Sequence, residues 1–184
     1  MVEKNRIIQK QFSYTGLFRY KEFFRTLDFW LRDKFYDKKE KGSAEYRYHD
    51  NSKQIQLLFA PWKKVTDYYK ITLRIEVLVR EMKEVEVEID GKKQRLNHGT
   101  VDVSLTGFLI LDYDDRLEKR EQPFLLFLRD MFHRYVYGYI TKKYTEMVVD
   151  DLTDLENSLR SYLNTFTKKQ EASFESGREH TRYA

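Results

Sequence analysis

Four histidines, His49, His98, His133 and His180, are the side chains of this 184-residue chain that titrate nearest neutrality. None stands in an HExxH arrangement or at another metal-ligand spacing. His133 alone falls in a helical pattern with an acid nearby. Asp130 lies three residues earlier, the spacing of a general base and its orienting group. An ordinary polar pair on a helix surface has the same spacing and is the simpler expectation. Two acidic runs, "LDYDDRLE" (Leu111–Glu118) and "VDDLTDLE" (Val149–Glu156), offer oxygen ligands. Asp112, Asp114 and Asp115 have the right chemistry for a hard cation, but the loop glycine and distal glutamate of a calcium loop are absent. Loop solvation and helix capping account for both runs. The chain has no cysteine, which excludes disulfides, thiol catalysis, cysteine-ligated zinc and iron–sulfur clusters. It has no GxGxxG, phosphate-binding-loop or GxSxG motif, and Ser13, Ser43, Ser52 and Ser104 lack the context of a nucleophile. The expectation is a protein without catalytic residues, cofactor or metal site.

Two other groups of residues carry binding chemistry. The net charge is +4, and its excess is concentrated early: residues 1–41 hold eleven Lys/Arg against six Asp/Glu. Within "RYKEFFRTLDFWLRDKFYDKKEK", Arg19, Lys21, Arg25, Arg32 and Lys34 are candidate anion contacts, as for a nucleic-acid backbone. Glu22, Asp28, Asp33 and Asp37 dilute that charge, and most of the aromatics fall on the stripe expected to be buried. A solvated helix face is therefore the simpler reading, and nucleic acid is disfavoured as a partner. The second group is the aromatic set Phe124, Phe127, Phe132, Tyr135, Tyr139 and Tyr144. A helix apolar nearly all round is deeply buried, or it lines an interface or an apolar-ligand cavity.

The elements that must position these groups follow from periodicity. Residues 3–14 read as a strand. Leu17, Tyr20, Phe24, Leu27, Leu31 and Phe35 then fall at steps of three and four, with Phe23 and Trp30 beside them, which predicts an amphipathic helix capped by Thr15. "DKKEKGS" (Asp37–Ser43) is read as a solvated turn. Two short strands follow, Ala44–Asp50 and Gln54–Trp62, the second ending or bending at Pro61. From Lys70 to Tyr113 almost every second residue is apolar. Asp90-Gly91 has the chemistry of a two-residue hairpin turn, and that register sets Glu88 against Lys93, Glu86 against Arg95 and Val85 against Leu96. Gly107 interrupts the alternation and predicts a bulge or bend. Pro123 opens a helical pattern in which Leu128, Phe132, Val136, Ile140, Tyr144 and Val148 step by four. A second run, Leu152 to Phe166, follows, and the capping-box spacing of Thr153 and Glu156 predicts a break near Asp150–Thr153. One uninterrupted helix to Phe166 is the alternative. Residues 167–184 are polar and aperiodic and read as a disordered tail.

The fold class is therefore α+β: a curved antiparallel sheet of about six or seven strands, covered on one face by an N-terminal amphipathic helix and long C-terminal helices, in one domain over residues 1–166. This element order resembles the helix-grip (START-like) architecture, in which a curved sheet wraps a long C-terminal helix. That resemblance implies a space between sheet and helix able to hold an apolar ligand. Three functions are carried forward. The first is a non-enzymatic binding or scaffold protein, acting on a protein partner or on itself. The second is a carrier of an apolar small molecule. The third is a nucleic-acid-associated protein. No apolar run is long enough to span a bilayer, and the absence of cysteine fits a cytoplasmic location.

Overall fold

The structure is a computed structural model describing residues 3–37, 40–48, 52–66, 68–89, 92–111 and 137–180, of which 3, 40–41, 88–89, 92, 137–140 and 167–180 are described as backbone. Its elements are β1 (Glu3–Phe18), α1 (Tyr20–Asp33), β2 (Glu40–Arg47), β3 (Lys53–Phe59), β4 (Trp62–Lys64), β5 (Tyr69–Ile89), β6 (Lys92–Leu111) and α2 (Tyr137–His180). The strands form one antiparallel six-stranded sheet in the order β1-β6-β5-β3-β2, with β4 also on β5. β3 and β4 lie end to end along the same side of β5, separated at Ala60-Pro61. There the Pro61 carbonyl still accepts the Leu73 N–H at 2.8 Å, so the interruption costs no ladder partner on β5.

The alternation of β5 and β6 has its expected consequence. Ile71, Leu73, Ile75, Val77 and Val79 of β5 are buried beside Val101, Val103, Leu105 and Leu109 of β6. The opposite face carries hydroxyls, amides and charges, paired across strands as Thr15 with Thr100 (3.0 Å) and Gln11 with Ser104 (3.4 Å). The hairpin register is the expected one: Glu88 lies opposite Lys93, Glu86 opposite Arg95 and Val85 opposite Leu96. Asp90 and Gly91 themselves lie outside the described residues. The β5–β6 ladder bends once, where Glu81 and Met82 oppose Gly99. Glu81 takes a left-handed φ of 54°, and a Cβ on Gly99 would sit 2.8 Å from the Arg80 carbonyl oxygen. Only glycine fits there without moving backbone.

Both helices cover the apolar face. α1 buries Phe23, Leu27, Trp30 and Leu31. It starts at Tyr20, later than Thr15. β1 keeps pairing with β6 as far as Phe18, and the side-chain oxygen of Asn97 on β6 accepts the Tyr20 N–H at 3.1 Å. The helix is thus capped by a neighbouring strand, while Leu17 and Thr15 belong to β1. At its other end Tyr36 N–H donates to the Leu31 carbonyl (2.8 Å) and Phe35 N–H to that of Arg32 (3.1 Å), closing a Schellman turn. Phe35 therefore leaves the buried stripe. β2 begins at Glu40, inside the segment expected to be a turn.

α2 lays Val148, Leu152, Leu155, Leu159 and Leu163 on the sheet, each nearly inaccessible to solvent. Each such leucine contributes about 1.5–3 kcal/mol by burial. The helix does not break near Asp150–Thr153. Thr153 caps nothing: its hydroxyl donates to the Val149 carbonyl one turn back (2.7 Å) and accepts from Lys10 Nζ (2.9 Å). The apolar stripe keeps its phase through this point, so the helix is uninterrupted from Tyr137 through Phe166; the part of that alternative before Tyr137 lies outside the described residues. The backbone is helical on through 167–180, where the sequence suggests an unstructured tail. That segment carries two Lys, one Arg and three Glu, which favour helix without any apolar period. The bulge expected at Gly107 lies instead in the facing strand, between Arg6 and Ile8 of β1.

Candidate functional site

The aromatic set expected to form a ligand or partner surface is mostly beyond reach. Phe124, Phe127, Phe132 and Tyr135 lie outside the described residues, as do Asp112, Asp114, Asp115, Asp130 and His133. Tyr139 is in the first turn of α2, its side chain again outside the described set. Tyr144 is half-buried, its ring 4.7 Å from that of Tyr69, whose hydroxyl meets Thr141 at 3.0 Å. Tyr144 therefore packs against the sheet rather than presenting a free face.

The basic set divides in two. Arg19 pairs with Glu22 at 2.8 Å, Arg32 with Asp28 at 3.1 Å and Lys34 with Asp154 at 2.9 Å. Those three charges are compensated in place. Lys21 and Arg25 are exposed and form no ion pair among the described residues. They lie at successive steps of four on the outer face of α1, and the next step is Phe29, 72% exposed. Beyond the helix end comes Phe35, 87% exposed and held at φ 58°. A left-handed conformation costs a residue with a Cβ about 1–2 kcal/mol, and glycine is the usual occupant of this position. A large exposed ring there does nothing for the fold. Phe29 was the detectable part of this surface, since it falls two residues from Leu27 and so on the opposite side of the helix.

Sequence reasoning missed a second cluster, on the side of α1 that faces α2. In the run 149–156 Thr153 caps nothing, and three of the four acids, Asp151, Asp154 and Glu156, each meet a cation from elsewhere in the chain. Asp151, almost wholly buried, accepts from Lys63 Nζ of β4 at 2.6 Å and from Tyr36 Oη at 2.8 Å. Lys63 also sits 4.5 Å above the Tyr36 ring, which stacks on Trp30. Trp30 Nε1 donates to Asp154 at 3.2 Å, and Glu156 joins Lys10 (3.0 Å) to Arg160 (2.8 Å). Burial, and then the Asp151 charge, push the Tyr36 hydroxyl far above its ordinary range, so it stays a donor at any ordinary pH. Among the described residues no group of three or more acids and histidines converges on a metal position. The cluster is a clasp joining α1, β4 and α2.

Its outer acids titrate. The hydrogen bond from Lys34, and then that from Trp30, hold the Asp154 carboxyl below its usual range. Burial works to raise Glu156, but the hydrogen bonds from Lys10 and Arg160 together outweigh it and hold this carboxyl low as well. A folded-state pKa below the unfolded one contributes stability that is complete above the unfolded value and is lost as pH falls through the folded one. Thermal midpoints are therefore expected to fall as pH drops below about 4. Asp154→Asn/Glu156→Gln should be less stable at neutral pH and show a shallower acid limb, modestly so because Asp154 is half-exposed. An acid limb of unchanged slope in the variant would assign the effect to other carboxylates.

A groove of about 500 Å³ beside the start of α1 mixes Arg19, Lys21, Lys53 and Arg95 with Glu22, Glu45 and Glu84, so its charges nearly balance. No helix among the described residues is long and apolar enough to cross a membrane. Comparisons with protein-family models, with curated proteins and with solved structures find nothing that matches this chain.

Proposed function

We propose that this is a non-enzymatic binding protein whose contact surface is the outer face of α1 and the turn after it, Lys21, Arg25, Phe29 and Phe35, and whose partner is a protein segment carrying acidic and apolar groups. The observation behind this reading is Phe35. Its ring is exposed and its backbone strained, a combination that burial and packing leave unexplained and that recurs where strain serves a contact. Arg25 and Lys21, one and two turns before Phe29 and without an ion pair among the described residues, supply the charge to orient an acidic segment.

Phe35→Gly separates contact from fold. Relieving the left-handed strain is expected to raise stability by about 0.5–1 kcal/mol, or the thermal midpoint by about 1–4 °C. Combined with Phe29→Ser, it should abolish capture of partners from cell extract, scored by quantitative mass spectrometry against the parent chain. An unchanged set of captured proteins would remove α1 as the contact surface.

The finer fold reading, helix-grip architecture, belongs to this proposal. Its support is that the first and last strands are neighbours and that the C-terminal helix lies along the sheet. On that reading an apolar ligand would lie between β6 and α2. The close contact of Gly107 with Val148 and Leu152 speaks against free space there. Compensation of Arg19, Arg32 and Lys34 by acids likewise weakens the nucleic-acid reading.

A further inference from the structure

Among the described residues β2 is an edge of the sheet with β3 as its one neighbour, and it lies outside the core. From Gly42 to Tyr48 every residue is exposed except half-buried Ala44. Both faces are therefore open, whereas β3 alternates and buries Ile55, Leu57 and Phe59. Among the described residues only the ladder to β3 holds this strand, and it carries two exposed rings, Tyr46 (55%) and Tyr48 (53%).

The parity of the ladder shows what β2 offers. Tyr48 N–H donates to the Ser52 carbonyl at 2.9 Å, and the register continues as Tyr46 opposite Gln54 and Ala44 opposite Gln56. Hydrogen-bonded pairs alternate in an antiparallel ladder, so the even-numbered residues bond to β3. The N–H and C=O groups of Ser43, Glu45 and Arg47 point away from the sheet, and such groups seek a strand. Glu45 and Arg47 share one face and pair with each other at 3.1 Å.

We infer that β2 pairs antiparallel with β2 of a second copy of this chain, about a two-fold axis through Tyr46, joining the two sheets into one. In that register Glu45 of each copy faces Arg47 of the other, and both are residues whose backbone groups point outward. Tyr46 then lies opposite Tyr46 as a non-hydrogen-bonded pair, where side chains approach most closely, and Ala44 leaves room opposite Tyr48. The neighbouring registers of the same parity are worse. An axis through Glu45 sets Glu45 against itself, and one through Ala44 sets Arg47 against Lys41. The other sheet edge is unsuited to self-pairing, because β1 carries Lys4, Arg6 and Lys10 against Glu3 alone. A two-fold contact of this kind closes on itself and gives a dimer. It involves none of the α1 contact residues and stands whether or not that face binds a partner.

Sedimentation equilibrium over about 1–200 µM protein should show a reversible monomer–dimer system. Glu45→Arg brings like charges together twice by symmetry and should raise the dissociation constant at least about tenfold. The charge exchange Glu45→Arg/Arg47→Glu should restore it. Both side chains are exposed, so the thermal midpoint of the dilute monomer should not change. A chain that stays monomeric throughout the range overturns the inference. So does a dimer indifferent to Glu45→Arg, or open-ended assembly, which would mean head-to-tail pairing with another edge.

Discussion

Replacing Asp151 with alanine is expected to lower stability by about 3 kcal/mol or more, a large share of the 5–15 kcal/mol typical of a domain. The carboxylate is the shared acceptor of Lys63 and Tyr36. Without it a mostly buried ammonium and a buried hydroxyl lose that partner together. Lys63 is only 13% exposed and is held over the Tyr36 ring, so it cannot turn to solvent without disturbing the Trp30–Tyr36 stack. Lys63→Met should cost less, because Asp151 keeps the Tyr36 hydroxyl. The double replacement Asp151→Leu/Lys63→Met should recover most of the loss, since a well-packed apolar pair avoids the desolvation of both ions. Urea titrations followed by tryptophan emission are well placed to report this, because Trp30 and Trp62 flank the cluster. A cost of Asp151→Ala under about 1 kcal/mol would mean that the pair behaves like a solvated surface bridge. The apolar stripe alone would then hold α2.

The Asp151 cluster shows why some of this structure could be read from sequence and some could not. Strands β5 and β6 were readable near their turn because a period of two and a two-residue turn fix the partners back to Lys83 opposite His98, Glu86 opposite Arg95 among them; the bulge at Glu81 and Met82 shifts the register beyond that point, and nothing in the alternation announces it. The α+β arrangement followed, because helices that carry an apolar stripe have only that sheet face to cover. What failed depended on contacts between residues far apart in the chain. Asn97 caps α1 across 77 positions, and nothing near Thr15 announces it. Thr153 and Glu156 have the spacing of a capping box, yet Lys10 engages both side chains and the helix runs through. The acids at 151 and 154 read as loop solvation or helix capping because their cations lie in β4 and just after α1. Phe35 fell on the apolar period, but α1 stops two residues before it and the Schellman turn swings it outward. Of the candidate surface, Phe29 was visible from its angle on the helix. The split of the basic residues into paired and unpaired was not, because Lys34 finds its acid on another helix.

Gly107→Val is expected to be strongly destabilising. A Cβ at this position would overlap Val148 Cγ1 and lie 2.7 Å from Leu152 Cδ1, both on the buried stripe of α2. Glycine in a strand ordinarily weakens it, so alanine here should stabilise β6 by about 0.5–1 kcal/mol if the space were open. It is filled, and overpacking of a core typically costs about 1–3 kcal/mol for small additions. Gly107→Ala should therefore destabilise despite the better strand residue, and Gly107→Val should do so by about 3 kcal/mol or more. Val148→Ala removes the methyl that the new Cβ would strike. Paired with Gly107→Ala, it should give a double variant more stable than the sum of the two losses predicts. Neutral behaviour of Gly107→Ala would mean that α2 sits loosely on β6. That outcome would return weight to an apolar ligand between helix and sheet, and a fluorescent fatty acid titrated into the parent chain would then be the decisive probe. A clear coupling between Gly107 and Val148, with no uptake of the probe, would instead mean that the seam between β6 and α2 is closed by its own side chains. Binding would then fall to the surfaces that the fold leaves exposed, the outer face of α1 and the free edge of β2.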